Sequence, residues 1–432
     1  MTHTDYTKDI LNIKDDNIYF YENCLKNIKI NNITTKVFHG YLTYIPKSCP
    51  KCGCINEGFD DIIMWNWKKG CKIKLPKVSN FNTLLILDKQ RFYCKHCHST
   101  FTASTNIVDF HKQVSNHSKT SIILELMGKS SELDISKRNN VSTNTVNRIL
   151  HEISKDKAVK NNGHLPTSFG IDEFSATNDT ISKMAFIIVS HLSKNIFDIN
   201  NSRKSLDIEK YFRKYPRYER DKVEFITMDL YKPYYKLMHK LFKKAILIPD
   251  RFHIVIQFRN ALDKTRIKLC KKSNKDYNKF KKYWKLLLKS RDQIDCSTWK
   301  KFTCFSNYMT EIDVVNFLVN SNHELKDSYE IYQNILYAIQ HKDITVLKET
   351  LSSNLSHISE YMKTSIKSLS QFLPYIENSF QNSYHNRYIE GNNNFIKVLK
   401  RIAFGFRSFR RFKARILICK GLLLPNKKIV NA

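Results

Sequence analysis

The chain has 432 residues, with 72 Lys or Arg against 40 Asp or Glu, a formal net charge of +32 at neutral pH. That length supports about two to four domains whose cores need no disulfide staple, and the basic excess makes a polyanion the leading partner, since each phosphate neutralised by a cation releases condensed counterions. It argues against a membrane protein: no stretch approaches the roughly 18 apolar residues of a spanning helix, and the N-terminus MTHTDYTKDI lacks a basic segment followed by an apolar one, so a soluble, cytoplasmic protein is expected.

Seven of the eleven cysteines precede residue 100. An odd count containing CxxC pairs fits a reduced compartment and a metal better than a disulfide framework. Residues 1–104 are read as a zinc-binding module built on CPKC (Cys49, Cys52) and CKHC (Cys94, Cys97), because four thiolates give the closed tetrahedral shell of a structural Zn²⁺. The long interval between the knuckles predicts an inserted β-hairpin or two, with strands at 62–67 and 83–87. Cys54, Cys71, His96 and His98 remain open as substitute ligands, and reduced thiols without metal are the alternative. No open three-ligand set points to a catalytic zinc.

Residues 105–157 turn helical, in the shape of a helix-turn-helix. Ile122, Ile123 and Leu126 line a first helix, Leu133 and Ile135 anchor a second, and Val141 fills the turn. Ser142 or Thr143 caps a third, whose buried stripe is Val146, Ile149, Leu150 and Ile153. Its outward Thr143, Asn144, Asn147 and Arg148 suit base edges or phosphates. A plain three-helix bundle with a solvated face is the alternative, and the basic balance of the chain favours DNA.

A linker at 158–168, AVKNNGHLPTS, leads to residues 158–260, the first part of an α/β core. GIDEF puts Asp172 at the end of a short strand, strands at 183–192 and 195–199 complete an antiparallel meander, and a helix covers 206–218. The strand at 223–228 stops at Asp229. A helix with Pro233 in its first turn and a stripe of Leu237, Met238, Leu241 and Phe242 follows, and the run 245–248 ends at Pro249-Asp250. This order is that of the ribonuclease H core, in which the first and fourth strands are neighbours. Asp172 and Asp229 then meet at the carboxyl edge, where open α/β sheets bind ligands, and Asp250 lies one strand further out, about 4.8 Å along the sheet. The alternative is that Asp229 and Asp250 only cap the helices that follow them.

Residues 261–384 show helical periodicity and lysine clusters and are read as an all-helical insertion. Tyr283, Trp284 and Trp299 are candidates for a DNA backbone track or, more simply, for its core. Residues 385–432 contain NRYIEGNNNFIKVLKRIAFGFRSFRRFKARILICK. Ile389, Ile396, Leu399 and Ala403 share one helical face, and Glu390, Asn394, Lys397 and Arg401 another. From Lys397 to Lys420 there are nine Lys or Arg and no acid, interleaved with Phe404, Phe406, Phe409 and Phe412. Lys397, Arg401, Arg407, Arg410 and Arg411 are therefore candidate phosphate contacts, with a solvated amphipathic helix pair as the alternative.

Taken together, the paired knuckles, the helix-turn-helix, GIDEF, MDLYKPYY, DRFHI and IEGNNNFIKVLKRIAFGFRSF resemble the transposases of the ISL3 family of bacterial insertion sequences over nearly the whole chain. The resemblance implies a ribonuclease H-like α/β catalytic core interrupted by a helical insertion before the last acid of an Asp-Asp-Glu triad. Carried over by position, the triad is Asp172, Asp229 and Glu390, holding two Mg²⁺ or Mn²⁺ ions with Asp172 as the bridge. Asp250 to His253 is similar to an aspartate-x-x-histidine signature of related transposases, which gives His253 a place beside the ions or on the scissile phosphate and Asp250 a supporting role. The implied activity is DNA strand cleavage and strand transfer. The zinc module and helix-turn-helix would bind terminal inverted repeats, the basic helices target or flanking DNA, and the protein would act as a homodimer or larger oligomer on the bacterial nucleoid. A DNA-binding regulator without catalysis is the alternative from another class.

Overall fold

Alternation of inward and outward residues over the first hundred positions builds a sheet. The structure is a computed structural model that describes residues 2–156, 163–272, 276–353 and 357–422. Helix α1 (His3–Leu11) precedes β1 (Ile18–Ile30), β2 (Ile33–Leu42), β3 (Ile62–Val78), β4 (Phe81–Cys94) and β5 (Ser99–Thr102). The turns Asn31-Asn32 and Ser79-Asn80 have positive φ at both positions, the conformation that closes tight hairpins with the twist strands prefer. The sheet order is β1-β2-β4-β3 with β5 beside β4, and β2 runs parallel to β4. Ile18, Leu42, Leu85, Leu87 and Phe92 are sealed inside it. The short strands expected at 62–67 and 83–87 are parts of one long hairpin, β3–β4, because alternation continues past the lysines of β3 that interrupt its apolar pattern.

Three helices follow, α2 (Asn116–Met127), α3 (Glu132–Arg138) and α4 (Thr143–Asp156). Serines at 115, 131 and 142 each accept a backbone N–H of the first turn, which satisfies donors that helix starts otherwise leave unpaired. Ile122, Ile123, Leu126, Ile135, Val146, Ile149 and Leu150 are buried between them. Leu133, expected as an anchor, is instead 51% exposed: two positions from Ile135, it lies about 200° around a helix too short for a second buried face.

The second unit comprises Asn161–Ala176 and Thr180–Asn394, whereas Phe395–Ala432 belongs with the N-terminal elements. The expected linker lies outside the described residues up to position 162. Strands β6 (Ser168–Ser175), β7 (Met184–Ser190) and β8 (Ile196–Asn200) form the antiparallel meander. Helices α5 (Ser205–Phe212) and α6 (Arg217–Arg220) lead to β9 (Phe225–Met228), α7 (Lys232–Leu241) and β10 (Ile246–Pro249). The order β10-β9-β6-β7-β8, with β9 parallel to both β6 and β10, is the ribonuclease H-like arrangement expected from the sequence. Phe169, Phe212 and Phe242 pack ring against ring, with centroids 5.0 to 5.9 Å apart, and join the sheet to its helices.

Helices α8 (Arg251–Lys272), α9 (Tyr277–Tyr283), α10 (Glu311–Asn320), α11 (His323–His341), α12 (Ile344–Ser352), α13 (Glu360–Ser370) and α14 (Leu373–Gln381) then extend the same apolar cluster through Leu318, Leu325, Ile335, Leu347 and Met362. Tyr283 packs against that cluster, and Trp299 is exposed. The region is not all-helical as expected: Lys300–Lys301 pairs antiparallel with Tyr308–Met309. Helix α15 (Arg387–Ile402) carries the chain out of this unit at Phe395, and α16 (Phe409–Cys419) packs on α2 and α4. Arg415 of α16, one of the nine late cations, is buried and donates to the carbonyls of Leu126, Gly128 and Ser130. It closes the C-terminal end of α2, where orphan carbonyls and the helix dipole favour a cation.

Gly170 decides how α15 meets the sheet. A Cβ there would stand 2.4 Å from Ile389 Cδ1, 2.5 Å from Thr227 Oγ1 and 2.9 Å from Asn386 Oδ1, so the first turn of α15 rests directly on the β6 backbone. Gly170→Ala is expected to destabilise this unit by about 1–3 kcal/mol, the usual cost of overpacking, seen as a lowered thermal midpoint of the purified protein. An unchanged midpoint would show that the helix is not held against β6.

Candidate active site

Strand period places Gly170 and Asp172 on the same face of β6. Asp229 follows β9 directly, Asp250 follows β10, and Glu390 sits in the first turn of α15. Asp172, expected at the end of its strand, lies inside β6, which runs on to Ser175 because β7 continues to pair with it past the end of β9. The parallel pairing of β6 with β9 and of β9 with β10 brings the three aspartates together where β9 and β10 end. Asp172 Oδ2 accepts from Asn393 Nδ2 at 2.6 Å and its Oδ1 from the Glu173 N–H at 2.6 Å. Asn393 stands one turn after Glu390 and is buried, so the helix carrying the glutamate also orients the first aspartate.

The two competing aspartates differ in what their side chains do. Asp250 Oδ1 accepts the Phe252 N–H at 3.2 Å and thereby caps α8. Helix α7 has no side-chain cap, and Asp229 Oδ1 is buried without a hydrogen-bond partner. His253 Nε2 stands 2.9 Å from that oxygen as an ion pair and 4.0 Å from Asp250 Oδ2. The capping alternative therefore describes Asp250 and not Asp229.

Electrostatics mark the same cluster. Burial and then the Asp229 charge push the Asp172 carboxyl up to about 7. Asp250 is raised by burial as well, with Asp229 and Glu390 adding to it against the Phe252 N–H and His253. Interaction with Asp229 lifts His253 above its ordinary value despite desolvation. Asp229, Asp250 and His253 offer ligand atoms within 4.8 Å of one another, a set that does not include Asp172 or Glu390. Buried carboxylates raised by the charges of their neighbours are a donor set whose repulsion a divalent cation relieves. A cavity of about 660 Å³ opens beside Asp172 and Asp229, with Arg203 and Lys204 in its wall.

In the N-terminal unit the two knuckles converge. Cys49 Sγ lies 3.7 Å from Cys97 Sγ, and Cys52 Sγ 3.8 Å from Cys94 Sγ. Sulfurs bound about 2.3 Å from a Zn²⁺ at tetrahedral corners stand about 3.8 Å apart, so the residues fit the ion. The Ser99 hydroxyl, 2.9 Å from Cys97 Sγ, leads in drawing that thiol down to about 6. The Cys54 N–H favours the Cys52 thiolate, yet burial and the neighbouring thiols outweigh it and push Cys52 up to about 12. Four thiolates at this spacing need a cation. Of the substitutes considered, Cys54, Cys71, His96 and His98 are outside this four-sulfur set.

The remaining candidate residues divide by environment. Asn144 and Arg148 are exposed on α4, and Thr143 and Asn147 half-buried. Arg148 lies 3.9 Å from Glu152, and Asn147 Oδ1 has no hydrogen-bond partner. Lys397, Arg401, Arg407 and Arg410 are exposed. Arg411 is half-buried and ion-paired with Glu132. Gly170, Asn386, Asn393 and Thr227 have no individual role in the sequence reading. The Thr227 hydroxyl donates to Asn386 Oδ1 and lies 3.1 Å from His191 Nε2. The signals were there, a glycine in a strand and a triple asparagine after a glutamate, but neither says which residue it will meet.

A sheet of this order, with aspartates gathered at its carboxyl edge and a glutamate-bearing helix on its face, defines the class of ribonuclease H-like proteins. A family model described as a transposase, the ISL3 group of the DDE type, matches residues 169–416, and the chain belongs to that family. A protein of Lactococcus lactis subsp. lactis named ATP-dependent protease is 42% identical over 114 residues, 26% of this chain and 36% of that protein. The chain thus matches little more than a third of that relative's length.

Protein purified without chelator is expected to carry one zinc per chain by metal analysis, and Cys94→Ser to lose it and unfold the N-terminal sheet, since binding energy at such sites is folding energy. The unfolding transition of the second unit should persist in the variant. Metal-free wild-type protein with an intact N-terminal sheet would refute a structural zinc.

Proposed function

We propose that this protein is an insertion-sequence transposase that binds terminal inverted repeats and catalyses DNA strand cleavage and strand transfer. The reading rests above all on one observation: the Asp229 carboxylate, free of any capping duty, beside Asp172 at the sheet edge. Asp172, Asp229 and Glu390 would hold two Mg²⁺ or Mn²⁺ ions, whose chemistry when bound would be to activate a water or 3′-hydroxyl and to stabilise the leaving oxygen of an in-line displacement. The chain's own groups do the positioning. Asn393 fixes the Asp172 carboxylate, and Asp250 anchors the start of α8 so that His253 faces Asp229. A protonated His253 supplies positive charge next to the carboxylates, where a scissile phosphate would lie.

Helices α3 and α4 serve in this reading as a helix-turn-helix, with Asn147 and Arg148 toward the bases and the zinc module beside it on the terminal repeat. The exposed Lys397, Arg401, Arg407 and Arg410 hold phosphates of flanking or target DNA, and two or more copies assemble on the ends. Residues 261–384, helical apart from the short strand pair of Lys300–Lys301 and Tyr308–Met309, act in this reading as an insertion that separates Glu390 from the aspartates in sequence. The protease name of the Lactococcus relative brings no phosphate loop with it. Gly128-Lys129-Ser130 is preceded five residues before the glycine by Ile123, where that loop requires another glycine.

Single-turnover cleavage of a labelled terminal-repeat substrate in Mn²⁺ tests the site. Asp172→Asn, Asp229→Asn and Glu390→Gln should each abolish cleavage with repeat binding intact. Asp250→Asn should keep measurable activity, lowered about 10- to 100-fold as for a group that supports ligands. Full activity in Asp229→Asn with none in Asp250→Asn would move the second ligand to β10. On the binding side, Arg148→Ala and Asn147→Ala should weaken the terminal repeat more than random DNA; equal losses on both DNAs would leave α4 without a reading role.

A further inference from the structure

The zinc-bearing unit contains a cleft of about 1220 Å³ that the assignments above do not use. Lys47 and Lys51 line one wall, Lys51 inside the CPKC knuckle itself. Lys68, Lys69 and Lys72 come from β3, Lys89 from β4 and Lys112 from the segment before α2. Asp109 is the single acid of the lining, and it pairs with Lys119 outside the cleft. Among the described residues none of the seven lysines has an ion-pair partner. Lys68 and Lys89 even face each other across the β3–β4 ladder, a like-charge pairing that costs stability. Burial holds the Lys89 ammonium below its ordinary value, and Lys68 lowers it further against the neighbouring Cys71. Seven uncompensated cations in one concavity form a site that a polyanion completes.

The chemistry narrows the ligand further. The cationic lining is lysine throughout, without arginine. Lysine meets phosphate as a point charge, whereas the arginine fork suits base edges, so the cleft tracks a backbone and reads no sequence. At its lip Phe110 is 80% exposed, with its ring 4.1 Å from that of His111, which holds a positive φ of 57°. An exposed aromatic pair beside lysines gains nothing from a duplex, whose base faces are already stacked. It gains a stacking partner from a strand whose bases are unpaired. We propose that this cleft binds single-stranded DNA, its lysines on the phosphates and Phe110 against a base. The assignment rests on the transposase reading for the identity of the polyanion, which is DNA; that the DNA is single-stranded rests on Phe110 and the lysine lining.

Fluorescence anisotropy of the zinc-loaded full-length protein, without Mg²⁺ or Mn²⁺, tests this with a labelled oligo(dT) of about 12 nucleotides and a random duplex of the same length. In Lys47→Ala/Lys51→Ala/Lys69→Ala/Lys72→Ala, strand affinity is expected to fall at least about tenfold. The slope of log affinity on log salt should flatten by about 0.7 for each phosphate that is no longer neutralised. Duplex affinity should fall by a clearly smaller factor, since the exposed Lys397, Arg401, Arg407 and Arg410 remain to hold phosphates. Phe110→Ala, which cannot unfold a core it does not enter, should lower strand affinity about fivefold or more with the salt slope unchanged. Undiminished strand binding in both variants, or equal losses on strand and duplex, would overturn the proposal, as would tighter binding of an oligo(U) than of the oligo(dT). Strand binding is read without cleavage, so inactive carboxylates would leave a positive result standing, and failure here would leave the cleavage assay unaffected.

Discussion

The seating of α15 on β6 is the contact on which the carboxylate edge depends. Gly170 removes the side chain that would keep the helix away, the Thr227 hydroxyl holds Asn386 at its start, and Asn393 reaches Asp172. All three contacts lie within two turns of Glu390. A glycine-sized gap in β6 admits the first turn of the helix that carries Glu390. Backbone against backbone leaves little room to slide, and a densely packed contact of this kind fixes position to fractions of an ångström.

Charge works in opposite senses in different parts of the chain. A protein with a net charge of +32 gathers its carboxylates at one sheet edge, where burial and mutual repulsion push Asp172 and Asp250 up. Such crowding is unfavourable for the protein alone and is relieved by a cation. In the N-terminal unit four sulfurs at tetrahedral spacing have the same need, while the lysine cleft has the opposite one. These are electrostatic debts that the fold leaves to a ligand. Arg415 shows the contrast, because its charge is satisfied internally by three carbonyls at the end of α2.

Much of this was legible in the sequence for a plain physical reason: hydrophobic periodicity and turn chemistry are local. The order of strands and helices from 168 to 250, the neighbouring positions of Asp172 and Asp229, the stripes of α2 and α4 and the pairing of the two knuckles follow from spacing, and the sheet order agrees with them. Leu133 misled because a two-turn helix offers too few residues for periodicity to choose a face. Whether Asp229 and Asp250 were caps or ligands was open in the sequence, since Asp serves both ends equally well.

What only the tertiary structure decided concerns partners distant in sequence. Three successive asparagines follow Gly391, each about 100° further around the helix, and no local rule says that Asn393 is the one that reaches Asp172. Gly170 reads as a weak point in a strand until Ile389 is placed over it. Arg411 and Arg415 look like their exposed neighbours until α16 packs on α2 and α4 and turns them inward. The seven lysines of the cleft come from stretches between 47 and 112 that nothing in their spacing connects. Sequence determined which elements form and what chemistry each carries, because those depend on near neighbours; the fold decided which chemistries face one another, because that depends on contacts between residues far apart in the chain.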